Sequence, residues 1–128
     1  MNIQTKIDIE SGFWFLIPAI IAFYFDIYAQ GIILLFVIFF SITHIIYKTK
    51  VLILLDVSFA WLLMATNILL ITFGNITSIF CYIAIVCSII AIFFFKNRKH
   101  KKYHYNLWHL FSSLTSLFSL LTFNLYMK

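Results

Sequence analysis

Histidine, aspartate and serine recur where apolar sequence surrounds them. Ser41 precedes His44 by three residues, Asp56 follows twelve later, and His104 and His109 open the last apolar stretch, while Glu10 opens the first. Neutral imidazoles are preferred ligands for zinc in a catalytic site with an open position. A carboxylate beside them orients a ligand or takes a proton from metal-bound water. At three-residue spacing Ser41 and His44 share one helix face. Asn67 lies eleven residues after Asp56, about three turns along the same face, and extends the polar stripe inward. The plainer use of such an amide is hydrogen bonding between helices.

Bringing these residues together requires elements, and the composition names their kind. Of 128 residues, 64% are hydrophobic and 10% charged, with a mean hydropathy of +1.06. A soluble domain is about half apolar and about a quarter charged. Sixteen Phe and seven Tyr with three Gly and one Pro exclude disordered and collagen-like chains. The sequence predicts an all-α, polytopic membrane helix bundle, a single integral domain over 1–128. Five apolar stretches supply its transmembrane helices: 11–28, 31–47, 51–73, 76–95 and 105–127. Each approaches the roughly 20 residues a helix needs to cross a bilayer. Short separators make neighbouring helices antiparallel. Continuous apolar runs argue against strands.

Charge sets the orientation. Lys6, Lys48, Lys50, Lys96, Arg98, Lys99, Lys101 and Lys102 fall on one side, and only Lys128 on the other. The positive-inside rule then puts the N-terminus in the cytoplasm and the C-terminus across the membrane. The net charge of +5 is therefore read as a topology signal, with head-group attraction as a second use of Lys96–Lys102, and not as a nucleic-acid interface. At 1.5 Å per residue, His44 lies roughly 6 Å below its helix end, Asp56 about 9 Å and His109 about 10 Å. Glu10, His44, Asp56, His104 and His109 thus fall in one cytoplasmic-leaflet layer. Intramembrane ionisable groups are functional candidates by default; the plain alternative is an interfacial set that pairs or snorkels. Ser112, Ser116 and Ser119 read as close-packing residues, Cys81 and Cys87 as buried filler, His100 as part of the basic loop, and Trp108 and Tyr103 as interface anchors. Asp26 and Tyr28 mark the end of a helix.

Three segments resemble the CREST superfamily, which contains alkaline ceramidases, adiponectin/progestin-type receptors and hemolysin III-like proteins. They are Glu10-Ser-Gly-Phe-Trp-Phe-Leu-Ile-Pro18, then Ser41-Ile-Thr-His44 with Leu54-Leu55-Asp56, and His104-Tyr-Asn-Leu-Trp-His109. They span roughly half the chain. The resemblance implies three histidine zinc ligands, with Ser and Asp around the metal-bound water, and hydrolysis of a lipid amide or ester. Carried over, it makes His44, His109 and His104 the ligands and Asp56 and Ser41 the residues that handle the water. The chain departs from the family in having five helices instead of seven. Its Ser stands three residues before His44, where four is usual. The last motif has four intervening residues instead of three, so His104 and His109 sit about 140° apart on an ideal helix. Tyr105 holds the position one turn before His109 that the motif gives to histidine.

The expected function is that of a zinc-dependent lipid hydrolase, with metal-bound water attacking a carbonyl presented from the cytoplasmic leaflet and membrane lipids as partners. The alternative is non-catalytic: a small membrane partner, an immunity-type protein or a lipid sensor. Bis-histidine haem between His44 and His109, and passage of a proton or small ion, are further uses of the same residues. Five helices would close a cavity more easily as a homo-oligomer, though no motif marks one.

Overall fold

The computed structural model describes residues 3–74, 76–98 and 102–127, with 102–103 and 125–127 described by their backbone alone. Lys99, His100, Lys101 and Lys128, and the side chains of Lys102 and Tyr103, lie outside the described residues. Six helices follow in order: α1 (Ile3–Phe13), α2 (Leu16–Tyr24), α3 (Tyr28–Tyr47), α4 (Lys50–Phe73), α5 (Ile79–Lys96) and α6 (Lys102–Met127). No strand occurs among the described residues.

Among the described residues four spans are long and apolar enough to cross a membrane, Ile3–Tyr24, Tyr28–Tyr47, Lys50–Phe73 and Ile79–Lys96; the expected fifth, 105–127, is not one of them. The first corrects the expectation that a helix opens at Ser11. Gln4, Asp8 and Ser11 recur at helical spacing and find partners on α6, so the helix extends back to Ile3. This span is two helices because Pro18 has no N–H to offer the Trp14 carbonyl one turn earlier. That carbonyl takes a 2.9 Å hydrogen bond from Ser113 Oγ on α6 instead.

The separators work as helix punctuation. Asp26 adopts a left-handed φ of 61°, and the Ile27 N–H closes back on the Ala22 carbonyl at 2.8 Å. Lys48 ends α3 with φ 50°, and Thr49 caps α4 by accepting a bond from the Leu52 N–H. Ser78 does the same for α5 through the Cys81 N–H.

α6 is 26 residues long and lies against α5, α4, α2 and α1. It is less apolar than those four spans because its buried positions include Ser112, Ser113, Thr115, Ser116, Ser119 and Thr122. Several of these hydroxyls bond carbonyls one turn back, as Thr115 does to Phe111 and Thr122 to Phe118. On α5 the buried residues are Cys81, Ala84, Cys87 and Ala91, all small, so α5 and α6 approach closely. The two cysteines are free and buried, as filler would be. Phe15, Ala19, Ala22, Leu34, Val37, Ile38, Leu63 and Leu120 form the apolar core. Outward positions such as Ile17, Phe39, Leu54 and Ile89 stay exposed and apolar, the surface a lipid solvent requires.

Candidate functional site

The helix order brings the start of α1, the end of α3, the start of α4, the end of α5 and the start of α6 to one end, with Lys6, Lys48, Lys50, Lys96 and Arg98. We call it the basic end. One turn or two inside it, polar side chains from four helices meet around His109.

His109 is fully enclosed, with Phe15, Tyr105 and Trp108 packed around its ring at centroid distances of 5.5, 4.3 and 4.8 Å. Both ring nitrogens find serine hydroxyls: Nδ1 lies 2.8 Å from Ser11 Oγ and Nε2 3.2 Å from Ser41 Oγ. Ser11 gives its only proton to the Asp8 carbonyl at 2.8 Å. The Nδ1–H of a neutral ring must therefore donate to Ser11, which leaves the Nε2 lone pair to accept from Ser41. Asn106 Nδ2 donates to Ser11 Oγ at 3.2 Å and to Asp8 Oδ1 at 3.0 Å, and Gln4 Nε2 donates to the same carboxylate oxygen at 2.8 Å. The imidazole is thus held from one side by an α1–α6 network and points its acceptor nitrogen at α3.

On that side stand Ser41, Tyr105, Asp56 and His44. Tyr105 Oη lies 3.4 Å from Ser41 Oγ. His44 Nε2 lies 3.9 Å from Asp56 Oδ2, an ion pair when the imidazole is protonated. Asp56 is buried, whereas the His44 side chain is part-exposed. Ser41, Asp56, His109 and Ser112 border a cavity the size of about one water molecule. The Ser112 hydroxyl has no partner among the described residues, nor does His44 Nδ1. Outside the cluster a cleft of ≈ 290 Å³ opens at the basic end, lined by Thr5, Asp8, His44, Lys48, Ile53 and Tyr105.

Of the residues expected in one layer, the structure brings His44, Asp56 and His109 together, and Ser41 and Tyr105 join them. It does not bring in His104, whose Nδ1 pairs with the Asn97 carbonyl at 2.9 Å and whose ring packs on Phe94. Nor does it bring in Glu10, which is exposed on α1, so the carboxylate of the network is Asp8. Asn67 acts elsewhere: it accepts from Gln30 Nε2 at 2.7 Å and donates to Ser116 at 3.1 Å, clamping α3, α4 and α6. Trp108, expected at an interface, is buried against Phe95 and His109. Asp8, Ser11, Gln4 and Asn106 were missed. Their signal was present, since 4, 8 and 11 share a helix face, as do 106 and 109.

The donor set bears on zinc. Among the described residues, no three His, Cys, Asp or Glu side chains are placed to hold a metal ion. His104 faces α5, and a phenol stands where the last-helix motif has its first histidine. As arranged, these residues do not fit a three-histidine zinc site. What they offer is an imidazole of fixed tautomer, a serine hydroxyl at its acceptor nitrogen and a carboxylate–imidazole pair beside a polar cleft.

No family model matches the chain, and no curated protein or solved structure matches it.

Proposed function

We propose that the chain is a multi-pass membrane protein that takes the polar group of a membrane lipid into the cleft at the basic end and binds it without cleaving it. The positive-inside rule makes that end cytoplasmic. The observation that carries this reading is Tyr105, one turn before His109 with its hydroxyl against Ser41, in the place of a third imidazole. Asp8, His44, Lys48 and Tyr105 line the cleft and supply both signs of charge and neutral hydrogen-bonding groups. Such a set suits a head group with hydroxyl, amide or phosphate functions.

A second reading, hydrolysis of a lipid ester or amide, is favoured by one observation. The Ser41 hydroxyl meets the acceptor Nε2 of a histidine whose Nδ1 is fixed by Ser11, the arrangement that activates a hydroxyl. The same Nε2 is the atom a metal would take in the zinc-dependent version suggested by the CREST resemblance.

Native mass spectrometry of lipids retained by the purified protein, run beside zinc analysis and turnover of ceramide and ester lipids, separates the two. Binding reads out as one retained head-group class, weakened about ten-fold in Lys48→Gln and His44→Ala, the loss of roughly one charged hydrogen bond, with no turnover. Turnover lost in Ser41→Ala, or near-stoichiometric zinc lost in His44→Ala/His109→Ala, would overturn the binding reading in favour of the hydrolase.

A further inference from the structure

We infer that the seam between α4 and α5 is a groove for one acyl chain of an anionic lipid. α5 packs along α6 and barely touches α4, although the two follow each other in the chain. Two hollows occupy the gap. One, of ≈ 20 Å³ at the basic end, is bordered by Ala60, Trp61, Met64, Ile92, Phe95 and Trp108. The other, of ≈ 310 Å³, lies between Ile68 and Thr72 on α4 and Ile85 and Ile89 on α5. Neither offers an open polar group of note. Thr72 gives its proton to the Ile68 carbonyl, and Ser88 gives its proton to Met64 Sδ at 3.5 Å, where the hollows meet.

Length, charge and continuity name the occupant. From Ala60 to Thr72 is about 18 Å of helix at 1.5 Å per residue, close to one leaflet of a hydrocarbon core roughly 30 Å thick. At the mouth, Arg98 lies 4.1 Å over the Phe95 ring and is tied to the Phe95 carbonyl at 2.7 Å, a fixed cation for an anionic head group. At the inner side, Ala60, Met64 and Trp108 also border the water-sized cavity of Asp56 and His109. A chain in the groove therefore reaches the polar cluster from the bilayer. A second copy is a poorer occupant. Helices associate in lipid through small residues that permit close approach, and this seam is rimmed by Trp61, Ile68, Ile85 and Ile89. The inference extends the lipid-binding reading to the apolar half of the ligand.

Trp108 is the reporter, because it is 5% exposed while Trp61 is 53% exposed. Trp14→Phe/Trp61→Phe leaves Trp108 as the sole tryptophan, and Trp14→Phe/Trp108→Phe leaves Trp61. Each is reconstituted in vesicles of phosphatidylglycerol brominated on its acyl chains. We expect Trp108 to be quenched as strongly as Trp61 despite its burial. Filling the groove by Ala60→Leu, or separately by Ile92→Phe, returns Trp108 emission to the unbrominated level and leaves Trp61 quenched, which also shows that the protein is inserted. Arg98→Gln removes the advantage of brominated phosphatidylglycerol over brominated phosphatidylcholine. Trp108 emission that ignores bromination in the parent chain overturns the inference, whether the seam is closed or covered by a second copy. Quenching that survives both filling variants overturns it too. Quenching of Trp108 with no head-group preference at the cleft would uphold the groove and sink only the earlier reading.

Discussion

Tyr105→His tests whether one residue separates this cluster from a metal site. Tyr105 and His109 are four residues apart on one face of α6, with ring centroids 4.3 Å apart, and the His44 ring lies 6.5 Å from Tyr105. An imidazole at 105 would face two others across a space bordered by Ser41 and Asp56. The cost is small. The Tyr105–Ser41 contact, at 3.4 Å, is at the long end for a hydrogen bond between hydroxyls, so losing it costs below about 1 kcal/mol. The gain is conditional on metal. Zinc at a hundred-fold excess over its dissociation constant would stabilise the native state by ~2.7 kcal/mol, reversed by a chelator. The assay is thermal unfolding in detergent with and without zinc, alongside metal analysis. The parent chain should show no zinc-dependent shift and the variant a clear one. His104→Ala in the variant background should leave that shift unchanged, because His104 serves the Asn97 carbonyl. A variant without zinc dependence would refute the claim that Tyr105 is what breaks the ligand set. Equal zinc dependence in the parent would refute it from the other side.

Three further outcomes are expected. Gln30→Leu and Asn67→Leu should each destabilise the bundle by about 1–3 kcal/mol, because each leaves the other amide buried and short of a partner; the double variant should cost less than their sum in a micelle unfolding cycle, and strict additivity would show that the pair does not couple. Ser113→Ala should cost roughly 1–2 kcal/mol by orphaning the Trp14 carbonyl that Pro18 already deprives of its helical donor; an unchanged unfolding midpoint would mean that carbonyl is satisfied otherwise. Gly74→Ala should lower the midpoint sharply, since an added Cβ would lie 2.8 Å from the Leu70 carbonyl and 2.9 Å from the Phe123 backbone, neither of which can yield as a side chain can.

The helical class, the separator at Lys48–Lys50 and the convergence of Ser41, His44, Asp56 and His109 were legible, because apolar run length and helix direction depend on composition and chain order alone; the first separator was not, since Ala29 and Gln30 lie inside α3 and the break falls at Asp26. The start of the first helix was not. Opening the first helix at residue 11 leaves out Gln4 and Asp8, and with them part of the network that holds Ser11 and Asn106 against His109. Period shows what mean polarity hides, for Gln4 and Asp8 fall on the face that α6 covers while Lys6 and Glu10 are exposed. Depth was legible while rotation was not: His104 and Glu10 lie near the right level but on the wrong sides of their helices. A layer argument places residues along a helix axis, and only packing decides which way each one faces.

That distinction bears on what the cluster does. His109 is held by Ser11, Asn106 and Asp8, residues of α1 and α6, whereas the groups that vary its chemistry, Ser41, Asp56, His44 and Tyr105, come mainly from α3 and α4. A histidine serving only to fill space would not need both ring nitrogens engaged by serine hydroxyls, one of them beside Tyr105. Burying those groups in an apolar helix bundle is costly unless each is satisfied, yet Ser112 Oγ and His44 Nδ1 lack partners among the described residues and lie on either side of the cluster. A third such atom, Ser119 Oγ, lies farther along α6, while the first two border the water-sized cavity and the polar cleft. They, and not the metal-ligand pattern, are the strongest reason to treat this end of the molecule as a binding site. Removing the Ser112 hydroxyl gives a direct check. Ser112→Ala should leave stability within about 0.5 kcal/mol of the parent, since no hydrogen bond is lost. If the cavity holds a bridging water or lipid group, the same change should cost about 1 kcal/mol or more, and retained-lipid measurements on the variant decide which of the two it holds.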